Sequence, residues 1–329
     1  MFDTTERRAI SRVRHDTRRR TLTVASVARL TPKMLRIGFT SPELADFESA
    51  APDDHIKLFL PAGPGGDPCM RDYTPRAFDR AARALTIDFA LHEAGPATAW
   101  ALDAQVGDRL EIGGPRGSTI VADDFDWQLL IADETGLPAI GRRLEELAPG
   151  APVTTVVLVD DLAEAQQVET TADWTAQWVC RDREPGDDAE RLLRAVRTLA
   201  VPPGDGFVWI AAEAKVARSL RTYFLEERKH PPRWMRASGY WSRGQSGAHE
   251  KFGPYRRSRQ QQDLACTPTP SAGLPQSAAP SWTCACAPCS PSCTPRPAIP
   301  KTAARAAIPT RIRPSGPTTA SRSSPSRAT

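Results

Sequence analysis

Between Thr21 and Val121 the apolar positions recur every second residue: Leu35, Ile37 and Phe39 alternate with other side chains, and so do Leu85, Ile87 and Phe89. The runs TLTVASVARL, MLRIGFT, HIKLFLP, ALTIDFAL and RLEIGG are short, β-rich and separated by Pro/Gly turns. A period of two gives each run one face for a core and one for water, so the series predicts an antiparallel barrel or sandwich. After Phe125 the texture changes. QLLIAD, VTTVVLVD and FVWIAAE are nearly continuous apolar runs, and they alternate with LPAIGRRLEELA, AERLLRAVRTLA and AKVARSLRTYFLEER, which have a helical period. Strands without polar alternation are buried on both faces, so this half predicts a parallel sheet covered by helices. Beyond Phe252 neither period occurs, and fourteen of the last 77 residues are Pro. Such a segment cannot offset its ordering entropy by burial and is expected to be disordered.

The chain thus divides into a basic arm over residues 1–20, a β domain over 21–122, an α/β domain over 123–252 and a tail over 253–329. Charge follows the same cut. The 329 residues carry 43 Lys+Arg and 39 Asp+Glu, a formal +4, but the tail holds ten of the basic residues and one acid, Asp263. That leaves 33 basic against 38 acidic residues up to Phe252, so the folded part is mildly acidic and the whole-chain charge gives no reason to expect nucleic acid or an anionic membrane. The Arg-rich arm has no reading element beside it and is expected to be a solvated tail. The tail's acid-poor, Pro/Ser/Arg-rich composition also fits a reading-frame slip in a GC-rich gene. Only Cys69 and Cys180 precede Phe252, so no disulfide framework is expected. Cys284, Cys286, Cys289 and Cys293 imitate cluster spacing, but they sit among Pro and Ser with no second shell, and no metal is assigned. No apolar run reaches 18 residues and no signal-peptide core follows the basic arm, so a cytoplasmic protein, expected to be a monomer, is the reading.

Three segments of the β half read as one site. Arg71 can hold a diphosphate, Tyr73 points to the same side of a strand and can lie against a planar ring, and Thr74 can bond the ring's edge. Gly95 and Pro96 open a small-residue helix whose backbone N–H groups, at Ala97 and Thr98, face outward to phosphate oxygens. Gly113, Gly114 and Gly117, followed by Ser118, allow close backbone approach to the ring. His92 reads as a hydrogen-bonding residue at the barrel end within this cofactor-binding set. It is not read as a catalyst, because flavin hydride transfer needs no protein acid or base at the reacting carbon.

These segments, together with three others, resemble the siderophore-interacting protein family, the flavin-dependent ferric-siderophore reductases of the ferredoxin-reductase-like superfamily. The shared motifs are R-x-Y-T at Arg71, Tyr73 and Thr74, GPA-x-x-WA from Gly95 to Ala101, and GGPRGS from Gly113 to Ser118. DET-x-LPAI from Asp133 to Ile140, W-x-A-x-EA from Trp209 to Ala214, and GYW from Gly239 to Trp241 complete the set. The resemblance covers about Thr21 to Gly244. It implies a six-stranded antiparallel FAD-binding β-barrel followed by a ferredoxin-reductase-like parallel α/β domain for NADH or NADPH. It also implies that Arg71, Tyr73 and Thr74 hold the flavin while the backbone from Pro96 to Thr98 takes its phosphates. The implied activity is reduction of a ferric siderophore by electrons from NAD(P)H through FAD, releasing Fe(II), with a ferredoxin as another conceivable donor. The sequence departs from the family near Ser242, where Arg is usual. A non-catalytic ferric-siderophore binder and an inactive product with an altered C-terminus are the alternative readings.

In the α/β half, Ile131 to Pro138 reads as strand, turn and helix start, the place expected for a dinucleotide. Asp133, Thr135 and Gly136 belong to that turn, and the superfamily pattern puts Thr135 and Gly136 against nicotinamide and pyrophosphate. Asp160 ends the second strand near an expected ribose, where a carboxylate accepts from a free 2′-hydroxyl and repels a 2′-phosphate, which favours NADH. Asp160 and its neighbour Asp161 read equally as caps of the next helix. Glu213 and Ala214 end another strand and either face the nicotinamide or begin the helix that follows. For the anionic chelate, Lys57 and His55 share one strand face and Arg243 follows GYW, so cations would gather at the flavin edge. Lys57 leads this group because the family has HVKL here, and Trp241 is expected to pack near the flavin.

Overall fold

The computed structural model describes residues 8–61, 69–91, 95–244 and 250–252. His92, the tail and its cysteines lie outside the described residues. In the first half, β1 (Ile10–Arg14), β2 (Arg19–Thr31), β3 (Met34–Thr40), β4 (Ile56–Leu60), β5 (Cys69–Tyr73), β6 (Pro75–Asp79) and β7 (Ala84–Ala90) precede helix α1 (Pro96–Asp103). β8 (Arg109–Gly113) and β9 (Gly117–Val121) follow it. Seven strands form an antiparallel sheet in the order β5-β4-β8-β2-β3-β7-β6. Its two edges, β5 and β6, are separated along the chain by Thr74 alone. They behave as one long strand broken where Pro75 lacks an N–H, one half pairing with β4 and the other with β7. Counted so, the sheet closes as a six-stranded barrel. The alternating triplets on β3 and β7 all point into it, none more than 5 % exposed, together with Leu22, Leu58, Leu110 and Ile112.

From residue 8 onward the basic arm is folded rather than solvated. β1 pairs antiparallel with β9 as a separate two-stranded ribbon, and Arg8 donates to Asp126 and bridges Asp205. Gly117 is what admits β1, because a Cβ there would lie 2.3 Å from the Val13 carbonyl oxygen. Gly117→Ala should therefore push β1 off β9 at a cost of about 1–3 kcal/mol. Amide exchange over residues 10–14 should accelerate, and unchanged protection would refute the account.

The second half contains β10 (Trp127–Asp133), α2 (Leu137–Glu146), β11 (Pro152–Val159), β12 (Asp173–Cys180) and α3 (Asp188–Thr198). It continues with β13 (Gly206–Glu213), α4 (Ala214–Thr222), β14 (Met235–Trp241) and β15 (Glu250–Lys251). The sheet order is β12-β11-β10-β13-β14-β15, with every pair parallel except the short last one. Every residue of β10 and β13 is buried, as continuous apolar runs demand. Leu129, Ile131, Val208 and Ile210 face α3 and α4, whereas Leu130, Ala132, Phe207 and Trp209 face the other way, toward α2. Helix α3 is opened by a capping box between Asp187 and Glu190.

The two halves are fastened by charged groups rather than by apolar area alone. Arg142, 4 % exposed, donates to Ser49 Oγ and O, both at 2.7 Å, and to Glu146. Arg76 forks onto Glu145, and its guanidinium lies 3.0 Å from where a Cβ of Gly141 would be. Glu164, 6 % exposed, accepts from Thr31 Oγ1 and Lys33 N in the turn between β2 and β3.

Candidate functional site

At the barrel mouth the register β4 to β5 pairs Ile56 with Tyr73 and Leu58 with Arg71. Paired residues project to one face, so Tyr73 and Arg71 lie on the side of the sheet that carries the core. The Tyr73 ring packs on Phe89 at 4.6 Å between centroids; Phe89 meets Trp100 of α1 at 5.9 Å, and Trp100 stacks on Phe39. Burial pushes the Tyr73 phenol's pKa up against the nearby Arg71 charge, so the hydroxyl stays protonated as a donor at neutral pH. Thr74 is buried at the strand break, and Arg71 donates to the Met70 carbonyl. Helix α1 starts at Pro96 with Gly95 as an N-cap in extended conformation. No side chain caps its first turn, and a Cβ on Gly95 would meet nothing within 4 Å. Ala97 and Thr98 are buried in that turn. A guanidinium, a phenol and an uncapped helix start are thus linked through one aromatic wall, the combination a planar ring joined to phosphates requires.

The glycine segment also makes structural contacts of its own. Gly114 holds φ +97 before a cis bond to Pro115, and a Cβ on Gly113 would touch the Phe59 ring at 3.0 Å. Ser118, 3 % exposed, donates to Asp54 at 2.6 Å, accepts from Ala50 N, and bonds His15 Nε2 at 2.7 Å. Gly117 and Ser118 therefore tie β1 and the loop after β3 to the barrel.

Lys57 lies on the opposite face of β4 from Tyr73 and Arg71, beside Asp72, to which it donates at 2.7 Å. The other Asp72 oxygen is buried without a protein partner. Lys57→Met should thus cost about 1 kcal/mol, the pair being half-exposed on the lysine side. Thermal unfolding checks this, and a several-fold rise in KM for an anionic ferric chelate at unchanged nucleotide KM would be the mark of substrate contact. His55 precedes β4 and is half-buried.

At the carboxyl ends of β10, β13 and β14 the second group of residues meets. Asp133, 2 % exposed, accepts from Thr135 N and Thr135 Oγ1 with one oxygen, and with the other from Glu213 N and Trp241 Nε1, both at 2.8 Å. Glu213 caps α4 by accepting from Lys215 N and Val216 N, and its other oxygen accepts from Arg243 N. Ala214 is buried, with Gly239 packed so tightly that a Cβ there would lie 2.8 Å from its Cα. Gly136 is fixed in the same manner, since a Cβ would lie 2.6 Å from that of Ala132. The Arg243 side chain is 76 % exposed and reaches toward Asp188 at 3.6 Å.

Asp160 neither caps a helix nor stands alone at the strand end. Lys33 and Arg181 both hold its carboxylate; burial alone would raise its pKa, but these two cations keep it below the usual carboxylate range. Asp161 takes the capping role, accepting from Ala163 N. Arg181 also bridges Glu134 at 3.0 Å and Asp188 at 3.2 Å. Burial, with help from Asp133, pushes Glu134 up to about 7 despite Arg181. Lys33, Arg181 and Glu164 were not signalled by the sequence, because Lys33 and Glu164 act across more than 120 residues of chain and Arg181 reaches Glu134 across 47.

The comparisons with known proteins agree with this geometry. Residues 125–244 match the family model described as Siderophore-interacting protein, and residues 23–68 and 63–119 match that of the Siderophore-interacting FAD-binding domain. The NADPH-dependent ferric-chelate reductase of Escherichia coli (strain K12) is 37 % identical over 250 residues, which are 70 % of this chain and 95 % of that protein. The chain belongs to the siderophore-interacting protein family. Among solved structures of this family, a siderophore utilization protein from T. fusca is 35 % identical with a TM-score of 0.69, over 73 % of this chain and 98 % of that one. Outside it, the Amycolatopsis cytochrome P450 reductase GcoB, 20 % identical with a TM-score of 0.51 over 68 % of this chain and 70 % of that one, shares the fold. The siderophore-interacting protein fold is thus a ferredoxin-reductase-like β-barrel followed by a parallel α/β layer, as the two hydrophobic periods imply.

Proposed function

We propose that this protein is a flavin-dependent reductase that uses NAD(P)H to reduce ferric siderophores. The observation that carries the reading is the barrel mouth, where Arg71, Tyr73 and Thr74 share a strand end with the aromatic wall Phe89–Trp100 and the uncapped start of α1. FAD held there would supply the conversion of the two electrons of a hydride from NAD(P)H into single electrons for iron. The protein's own contribution is positional. Arg71 neutralises phosphate charge, the protonated Tyr73 phenol donates from beside the ring, and the α1 backbone adds N–H groups to the phosphates. The Asp133 clamp fixes the turn Glu134–Gly136 and the Trp241 indole relative to one another, so that a nicotinamide entering from the α/β half meets preset walls. Iron reduced at the exposed end of the site is held less tightly by hard oxygen ligands, and release follows.

For the electron donor, the carboxylates Glu134, Asp160 and Asp161 favour a nucleotide without a 2′-phosphate, although Lys33 and Arg181 offset part of that charge. A ferredoxin is the second donor class, and the protein is proposed to act as a cytoplasmic monomer; no described helix is long and apolar enough to cross a membrane. One experiment tests the whole reading. Purified protein reconstituted with FAD should show a flavin spectrum, bleach anaerobically on addition of NADH or NADPH, and recolour when a ferric chelate is added. Flavin bound but not bleached by either nucleotide would favour the ferredoxin, and folded protein that takes up no flavin would end the proposal.

A further inference from the structure

Between the barrel and the α/β sheet lies a small cavity of about 20 Å³, lined on the barrel side by Pro52, Asp53, Thr119 and Val121. Its other wall contains two arginines, Arg143 of α2 and Arg236 of β14. Each sends a nitrogen out of contact with solvent that finds no partner in the protein: Arg143 Nη2 and Arg236 Nη1. Arg143 has no carboxylate within ion-pair distance among the described residues; its Nε donates to the neutral Gln128 amide oxygen at 3.0 Å. Burial pushes its pKa down more than the nearby carboxylates Asp123, Asp53 and Glu146 raise it, the sign of an under-compensated charge. Arg236 Nε pairs with Asp53 Oδ2 at 2.9 Å, but that oxygen also accepts from Trp209 Nε1 at 3.0 Å. The lining therefore holds two guanidinium groups against one carboxylate, a net single positive charge in a chamber otherwise walled by Leu130, Ile140 and Phe207.

We propose that this cavity binds one small monovalent anion of halide size, held by Arg143 Nη2 and Arg236 Nη1. Three constraints define the ligand. Its charge is −1, because that cancels the surplus. It is small, because the space takes only about one or two water-sized particles. It accepts hydrogen bonds, because both guanidinium groups are donors only. A water would satisfy the donors but leave the buried charge uncompensated. Such an ion would sit where both halves of the molecule contribute walls, and would stabilise their docking whether or not a flavin is bound.

The deciding measurement needs only the unaltered full-length protein and bromide. Crystals soaked in sodium bromide should give an anomalous peak in the cavity within hydrogen-bond reach of both guanidinium groups. At constant ionic strength, replacing gluconate by chloride should raise the melting temperature along a saturating curve, and Arg143→Met should abolish that response. A cavity without anomalous signal, with melting temperatures equal in chloride and gluconate, would mean a water or nothing there and overturns the proposal. Because the anomalous map uses the native sequence, it decides the matter even where Arg143→Met fails to fold.

Discussion

A protein carrying Arg71→Met and Tyr73→Ala together should purify folded but colourless, and should bind FAD on the order of 10²-fold or more weakly than the parent. The expectation rests on two separable losses. On the proposed reading, removing Arg71 would take away a cation that pairs with the phosphates, and a charged hydrogen bond of this kind is worth about 1.5–3 kcal/mol. Removing the Tyr73 ring strips Phe89 of its 4.6 Å neighbour and opens the wall that continues to Trp100. Stability should suffer less than binding, since Tyr73 is only partly buried at the edge of the barrel core. Flavin fluorescence titration on protein with an unchanged circular dichroism spectrum is the measurement. Retention of tight flavin binding by the double variant would remove the barrel mouth from consideration as the cofactor site.

The second large effect belongs to Asp133. Its two oxygens accept four hydrogen bonds, from Thr135 N, Thr135 Oγ1, Glu213 N and Trp241 Nε1, at a position 2 % exposed. Asp133→Ala leaves those donors without acceptors in a place water does not reach freely, and the expected loss is about 3–5 kcal/mol. Asp133→Asn keeps one acceptor oxygen and the side-chain shape, so it should lose less stability. In the Asn variant the turn Glu134–Gly136 and the indole would no longer be held by the same carboxylate, so nucleotide-driven bleaching should slow more than flavin binding weakens. Chemical denaturation of both variants, with stopped-flow reduction of the Asn variant, checks this. An Asp133→Ala protein as stable as the parent would show the clamp to be incidental.

Much of the architecture could be read from periodicity. The alternation on β3 and β7 names the barrel core, and the unbroken apolar runs of β10, β11 and β13 name a sheet buried on both faces. β12 escaped because it is an edge strand whose Asp173, Thr175 and Ala176 are exposed, so burial imposes no pattern on it. β1 escaped because Arg12 and Arg14 look like a solvated arm, and only the pairing with β9 gives them a place. At the candidate site, motifs drew attention to Arg71, Tyr73, Gly95 and Asp133, but sequence cannot assign a face or a partner across long separations. It could not show that Lys57 lies on the opposite face from Tyr73, that Ser118 anchors Asp54 and His15, or that Lys33 reaches Asp160.

The turn joining β2 and β3, whose Thr31 and Lys33 clasp Glu164 on the far half, bears on how such a molecule could be re-engineered. A chimaera that grafted this barrel onto a different nucleotide module would strand Arg142, already enclosed, away from Ser49, and would leave Glu164 without its two donors. Successful shuffling would have to carry these contact residues across as a set, which makes the seam, rather than either half, the unit on which such grafting depends.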